Sequence, residues 1–357
     1  MPVPAPLPFP EPDDLHRQGR DLVAQGRTDE ALALFQHAAA TAELFQARLP
    51  LRKAAANPDA LGRILYDAGY CLLDLGLVDE ALAWFQRAVA SAELGDAQGR
   101  IHGDNLAACQ HLAGICLARL GRHEEALAWF HQAAESARQG DAQGRVDHDS
   151  VGRSLNQAGT CLVHLNRREE ALTGFQQAVA AAELGNVQGR VDHAALGAGL
   201  HLVGDCLHSL GHVTEALPWF HSAVQALERG APDMPVSHDD VSRSMLRVSD
   251  CLMDLGRAED ALHWAQAAVK AAEDGDAAGR VNLESLSHGL HAMGRILATM
   301  GYPDAAMDWL RYAAETAEQG DPLGLPAILR AGTTCLRTLG RMEEAQAWAA
   351  RVSAPVG

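Results

Sequence analysis

The chain has 357 residues, 48% of them hydrophobic, enough for two or three ordinary globular domains. Its formal net charge is −17, and lysine occurs only at Lys53 and Lys270. With no basic patch or stripe at domain scale, nucleic acid and membrane surfaces are excluded as expected partners, whereas an acidic surface suits a basic one.

The opening MPVPAPLPFPEP, residues 1–12, is too proline-rich for helix or strand and reads as an extended arm. It is either a tail or a peptide that docks on a partner or a neighbouring groove. A helix is expected to start near Asp13 or Asp14, where an acidic residue favours a helix N-terminus. From residue 13 to residue 351 the chain repeats itself, and residues 352–357 form a tail. The stretch Cys71–Arg100 returns every 45 residues: Cys71, Cys116, Cys161, Cys206 and Cys251 keep that spacing, and Ile296 continues it. Ala31, Ala81, Ala126, Ala171, Ala216, Ala261, Ala306 and Ala345 follow the same series. A fixed period in this range specifies a stacked array, in which each repeat buries its apolar face against its neighbours.

Each repeat has one plan. A first helix, such as Asn105 to Leu120, carries apolar residues at i, i+3, i+4 and i+7. It stops at a glycine in the series Gly26, Gly76, Gly121, Gly211, Gly256, Gly301 and Gly340. Where the glycine is missing stands Asn166, the other residue type that tolerates a left-handed helix end. A second helix, such as His123 to Gln139, stops at Gly95, Gly140, Gly185, Gly230, Gly275 or Gly320. The fold class is therefore all-α, an array of about eight antiparallel helix pairs. Leu22, Leu72, Leu117, Leu162, Leu207, Leu252, Leu297 and Leu336 form a column on the first helices. Small residues near it (Gly19, Gly69, Gly114, Gly159, Gly204 and Gly294, with Ser249 and Thr333 as substitutes) let the second helix approach. Phe35, Phe85, Phe130, Phe175 and Phe220 supply the large side chains of that second helix.

Three irregularities stand out. The first two repeats are 50 residues apart, and the inserted FQARLPLRKAAANPDA holds Arg48, Arg52 and Lys53, either a longer loop or a contact for an acidic partner. Pro218 inside a second helix predicts a mild kink or a late start, and the following APDMPVSH loses the usual glycine and arginine. The last repeat puts Gln346 and Ala349 at core positions, as a solvent-facing cap should.

Within Ala68 to Ala88, the residues Gly69, Leu72, Gly76, Ala81, Phe85 and Ala88 read small, large, turn, small, aromatic, small, and the pattern recurs eight times in phase. It resembles the tetratricopeptide repeat family in a long variant, since repeats of that family usually have about 34 residues. The resemblance covers the chain from about Asp13 to Arg351. It implies an α-solenoid curling as a right-handed superhelix, with first helices lining a concave groove that binds extended peptides or partner helices.

Other columns read as structural. Seven cysteines are present, and the five at one helical position would be about 10 Å apart in a stack. That exceeds the disulfide reach of about 7 Å between α-carbons, so they read as small buried hydrophobes. With no secretory leader pattern and no apolar run near 18 residues, the expected location is the cytoplasm. The alanine- and arginine-rich, lysine-poor composition points to a bacterial source. Trp84, Trp129, Trp219, Trp264, Trp309 and Trp348 share one register, broken by Gly174, and read as packing between repeats. The loops Gly95–Arg100, Gly140–Arg145, Gly185–Arg190 and Gly275–Arg280 resemble a phosphate cradle only superficially, because no strand precedes them. Their glycines end one helix, Asp147 or Asp192 caps the next, and Arg100, Arg145, Arg190 and Arg280 bridge to nearby carboxylates or carbonyls. His148, His193 and His238 come one per repeat and cannot converge on a metal. With no GxSxG, phosphate loop or acid–base pair, no enzyme, catalytic residue, metal or cofactor is expected.

The candidate binding face lies opposite the leucine column. It carries His16, Tyr66, His111, Asn156, His201, Leu246, His291 and Arg330, then four residues on Arg20, Tyr70, Ile115, Thr160, Asp205, Asp250, Arg295 and Thr334. Arg63, Arg153 and Arg243 alternate with His111, His201 and His291 on a 90-residue beat, as if a two-repeat block had been duplicated. The candidate partner-binding residues are Arg63, Tyr66, Tyr70, His111, Arg153, Asn156, His201, Asp205, Arg243, His291 and Arg295. Their aromatic, amide, imidazole and guanidinium groups suit peptide carbonyls and carboxylates; the alternative is a solvated face with no ligand. The leading reading is a scaffold or adaptor for a protein or peptide segment. A ligand-responsive sensor and a self-assembling array are the alternatives, and homo-oligomerisation stays open.

Overall fold

The computed structural model of the protein describes residues 11–48, 58–95, 100–141, 143–230, 236–276 and 278–352. Residues 1–10 of the proline-rich arm, Arg52 and Lys53 of the basic insertion, most of the APDMPVSH loop and the tail from residue 353 lie outside them. Among the described residues there are sixteen α-helices and no strand. They belong to two compact bodies. The N-terminal body, Met1–Arg190, holds α1 (Pro12–Ala24), α2 (Thr28–Arg48), α3 (Pro58–Asp74), α4 (Val78–Ala92), α5 (Gly103–Arg119), α6 (His123–Gln139), α7 (His148–His164) and α8 (Arg168–Ala182). The C-terminal body, Val191–Gly357, holds α9 (His193–Ser209), α10 (Val213–Leu227), α11 (His238–Asp254), α12 (Ala258–Asp274), α13 (Leu283–Thr299), α14 (Pro303–Gly320), α15 (Leu325–Thr338) and α16 (Met342–Val352). Within each body every helix packs on the next, which makes the protein an all-α solenoid of helix pairs.

The turn inside each pair is set by one residue. At the end of α5, Gly121 takes φ 74°, its amide bonds the Ala118 carbonyl at 3.0 Å, and the Arg122 amide reaches back to Leu117 at 2.9 Å. Those bonds close the last turn of the helix and reverse the chain into α6. Asn166 (φ 59°) does the same after α7, the only non-glycine residue with positive φ among those described. Gly95, Gly140, Gly185, Gly230 and Gly275 also have positive φ after the second helices, whereas Gly320 does not and closes α14 as a helical residue. An ideal Cβ on Gly320 would fall 2.8 Å from Cδ1 of Leu283, so close packing against α13 accounts for glycine there.

The core follows the small-against-large columns. Phe85, Phe130, Phe175 and Phe220 are at most 1% exposed, and each ring lies over the glycine of its partner helix. An ideal Cβ on Gly69, Gly114, Gly159 or Gly204 would sit 2.5 to 2.9 Å from that ring, leaving no room for a side chain. The repeat built from α11 and α12 exchanges the sizes: Ala265 replaces the phenylalanine, Ser249 replaces the glycine, and the Ser249 hydroxyl donates to the Ala261 carbonyl at 2.8 Å. All seven cysteines are free and buried.

Several sequence expectations need correction. α5 begins at Gly103, ahead of Asn105, because the Gly103 amide bonds the Gly140 carbonyl at 3.1 Å and the Ser136 carbonyl leaves no space for a Cβ. α10 starts at Val213, in register with Val78 of α4, so Pro218 causes no late start and removes only the amide that would bond the Thr214 carbonyl. The six tryptophans are half-buried rather than fully buried, and Trp84, Trp129 and Trp264 pack against the buried clusters, as their shared register suggested. One face of Trp84 is covered by the Arg87 guanidinium at 4.4 Å. In the last repeat α16 buries only Ala345, and Trp348 lies over Gly332.

The inter-repeat loops hold themselves together. The Asp141 carboxylate accepts from the amides of Gln143 (2.8 Å) and Arg145 (2.9 Å) and from Arg145 Nε (2.8 Å). Asp276 repeats the arrangement with Ala278 and Arg280. Asp192 caps α9 through the amides of Ala194 and Ala195. Asp147 stands at the equivalent position before α7, but its carboxylate takes the Ser150 hydroxyl at 2.7 Å instead.

Candidate functional site

In the N-terminal body the first helices α1, α3, α5 and α7 bring their candidate residues onto one face. His16, Tyr66 and His111 are half-buried, because each ring packs against the phenylalanine beneath it. Ring centroids are 5.5 Å apart for His16 and Phe35, 5.9 Å for Tyr66 and Phe85, and 5.4 Å for His111 and Phe130. The columns read as projecting away from the core thus form its outer layer. The His111 Nδ1 lies 3.0 Å from the buried Ser154 hydroxyl on α7. Burial, with the Arg153 charge adding to it, lowers His111 to about 4 and leaves its imidazole neutral at pH 7. Burial likewise pushes the Tyr66 phenol up.

Two cavities open between these helices. The first, of about 340 Å³, lies among α1, α3, the end of α4 and α5 and is walled by His16, Arg20, Arg63, Tyr66, Asp67, Ala92, Asn105 and Ala108. The second, of about 240 Å³, lies among α3, α5 and α7 and is walled by Tyr66, Ala108, His111, Leu112, Ile115, Ser150 and Arg153. Tyr66 and Ala108 belong to both, so the cavities adjoin. Of the candidate residues, Arg63, Tyr66, His111 and Arg153 come together here. Tyr70, 53% exposed, and Asn156, whose Oδ1 is buried without a hydrogen-bond partner, do not line either cavity.

The sequence columns missed Asp67, Asn105, Ser150 and Leu112. Asp67 directly follows Tyr66, and its carboxylate is held by His16 Nε2 at 2.7 Å. A usable signal was its spacing four residues after Arg63, which puts both on one helix face.

The C-terminal body uses its equivalents internally. His201 packs on Phe220 with centroids 5.5 Å apart, and its Nδ1 lies 2.9 Å from the Ser244 hydroxyl. Asp205 sits 3.3 Å from His201 Nε2 and accepts from Arg247 Nε at 2.6 Å. Burial would raise the Asp205 carboxyl, but the His201 hydrogen bond and the His201 and Arg247 charges outweigh it and hold it below its ordinary range. Arg247, absent from the sequence candidates, also reaches Asp250 at 3.3 Å. Arg243 is paired with Asp240 at 3.1 Å and Asp239 at 3.6 Å. His291 is half-buried with Nε2 unpartnered, and burial, followed by the Arg295 charge, lowers it to about 4; Arg295 itself is exposed. Of these, His201, Asp205, Arg243 and Arg247 form ion pairs or ring contacts within the body.

Among the described residues no group of three or more His, Cys, Asp or Glu side chains could hold a metal ion. No helix among them is long and apolar enough to cross a membrane.

Family models described as tetratricopeptide repeat match residues 60–139 and 114–184, and a second such model matches residues 16–96. No curated protein matches the chain. Among solved structures, the apo form of RapI superposes with TM-score 0.64 at 10% identity, covering 96% of this chain and 85% of that one. The apo form of the quorum sensor NprR from B. thuringiensis gives 0.61 at 11% identity, with 96% and 86% covered. A tetratricopeptide repeat protein from Parabacteroides merdae gives 0.51 at 13% identity, with 91% and 98% covered. At these identities the likeness is one of fold.

Proposed function

The chain belongs to the tetratricopeptide repeat family, and from that premise we propose that it is a non-enzymatic scaffold that binds a peptide or protein segment along the first helices of its N-terminal body. The observation that carries the reading is the pair of adjoining cavities, walled by Arg63, Tyr66, His111 and Arg153 and continuous through Ala108. Their polar groups stand over a packed phenylalanine column, so a bound segment would meet a preformed surface. Preformed sites lose less entropy on binding. The buried, free cysteines fit a reducing compartment, and the proposal includes the cytoplasm.

The test is selection from a random peptide display library, followed by titration of the selected peptides against wild type and Ala108→Trp. Ala108 is half-buried and lines both cavities, so the indole would fill open space without entering the core. Binding by wild type and at least tenfold weaker binding by a folded Ala108→Trp protein, about 1.4 kcal/mol, supports the groove. Equal binding by the two proteins refutes it.

A second reading, a receptor that changes shape when a peptide enters, draws on the likeness to the quorum sensor NprR across 96% of this chain. Compaction in small-angle scattering on adding a selected peptide supports it, and unchanged scattering leaves the adaptor.

A further inference from the structure

We propose that the second-helix face of the N-terminal body holds a binding site for an uncharged, indole-sized aromatic small molecule, at the place where Gly174 interrupts the tryptophan register. The site is separate from the groove of the first helices and does not rest on the peptide-binding reading. A cavity of about 270 Å³ opens there among α6, α7 and α8. Its floor is Leu127, Leu155, Ala158 and Leu162, all of them buried core residues. An apolar cavity of about 150 Å³ is enough for benzene, so this one has room for two fused rings.

The backbone and the packing do not require glycine at 174. The residue lies inside α8 and is not one of the glycines with positive φ. An ideal Cβ there would meet the Gly159 Cα at 3.8 Å and the Leu155 carbonyl oxygen at 4.0 Å, which is ordinary contact. Gly159, opposite, is different, since its Cβ would fall 2.5 Å from Cε1 of Phe175. Glycine in a helix interior is destabilising relative to alanine. What Gly174 does in return is leave the cavity open.

The C-terminal body shows what fills such a place. Ninety residues on, Trp264 stands at the Gly174 position, His221 at the His131 position and Arg257 at the Arg167 position. The Trp264 indole packs on the cluster of Val224, Leu227, Val241 and Ala271 and meets the His221 ring edge to face, with centroids 4.9 Å apart. The counterpart cluster in the N-terminal body is Ala134, Ala137, Val151 and Ala181, together with Leu155 of the cavity floor. His221 is half-buried beside its indole, whereas His131, on the cavity wall, is exposed. Both bodies carry the histidine, and only one carries its aromatic partner.

The rim sets the charge of the ligand. Arg167, on the cavity wall, donates from Nε and Nη2 to the two carboxylate oxygens of Glu170, each at 2.7 Å. In the body that holds the indole, Arg257 Nε donates to Asp260 in the same way at 2.8 Å. The rim charges are thus spent on each other, and an apolar floor with such a rim suits a neutral ring.

The experiment is a fluorine NMR titration of 5-fluoroindole into the 357-residue chain and into Gly174→Trp, Gly174→Leu, Gly174→Ala and the groove-filling Ala108→Trp. The second probe is N-acetyl-5-fluorotryptophanamide. Wild type and Gly174→Ala should bind 5-fluoroindole saturably. The His131 imidazole resonance, assigned by its loss in His131→Gln, should move with the ring current of the bound molecule. Gly174→Trp and Gly174→Leu should lose the binding. Both replace a helix-interior glycine and fill open space, so thermal denaturation should find them no less stable than wild type, and either one, folded, decides the matter. Absence of saturable binding to wild type, or equal binding by a folded Gly174→Trp or Gly174→Leu protein, overturns the site. So does a His131 resonance that stays still while the indole binds. Binding lost in Ala108→Trp and kept in Gly174→Trp would put the ring in the groove and overturn the proposal. Binding of the tryptophanamide without binding of 5-fluoroindole would give the pocket to a partner's side chain and overturn the free ligand. The groove reading is decided separately, by its library-selected peptides.

Discussion

Replacing Gly114 by alanine sets two known effects against each other. In a helix interior the change favours alanine by about 1 kcal/mol. Here an ideal Cβ on Gly114 would lie 2.8 Å from Cε1 and 2.9 Å from Cδ1 of Phe130, a fully buried ring. Carbon atoms rest at about 3.5–4.0 Å, so the ring would have to retreat by roughly 1 Å. His111 packs on it, with centroids 5.4 Å apart, and restricts the retreat. Overpacking of this kind costs about 1–3 kcal/mol, which leaves a net destabilisation of up to about 2 kcal/mol. Stacked repeats unfold partly one by one, so the assay is native-state hydrogen exchange at α5 and α6 amides beside the urea midpoint. The penalty should largely vanish in a Phe130→Ala background, because the protein itself pairs Ser249 with Ala265. Slower exchange in Gly114→Ala than in wild type would refute the packing argument.

Three further outcomes can be checked. His111 and His291 are lowered from 6.5 to about 4, in each case first by burial and then by a neighbouring arginine. The unfolded chain protonates them first, so their stabilisation is complete above about pH 6.5 and is lost as pH falls toward 4. Urea midpoints of wild type should drop over that window more than those of a His111→Gln, His291→Gln variant; parallel curves would contradict it. Asn166 holds φ 59°, so Asn166→Ala should cost about 1 kcal/mol and Asn166→Gly nothing by thermal denaturation. Equal melting of all three would remove the left-handed turn as the reason for asparagine. Asp276 is lowered to about 2, chiefly by the Arg280 side chain, so Arg280→Ala should move its carboxyl resonance titration up toward 3.8. A titration that does not move would assign the shift to the loop amides instead.

The repeat carried most of the fold into the sequence. Asn166 in a glycine series identified the helix end that its φ of 59° realises, and α6 runs from His123 to Gln139 as the pattern specified. Single residues were legible wherever one position answered to one backbone requirement. The site was less so, because its walls come from five helices and depend on how deeply each column sits. A face pattern separates inward from outward, but His111 is neither: its ring rests on Phe130 while its edge borders a cavity. The tryptophans show the same limit, sharing a register and packing at the edge of the core rather than inside it. Charge was also misleading in aggregate, since −17 describes the surface as a whole and hides the arginines of the groove.

The most direct test of the central claim is to place a photoreactive benzophenone at the middle of a selected peptide and map its adduct on the 357-residue chain by mass spectrometry. The account predicts labelling within α3, α5 and α7, centred on peptides containing Tyr66 and Leu112 and competed by unlabelled peptide. Competed labelling on the second helices away from Ala92 at the end of α4, or in the C-terminal body, would contradict it.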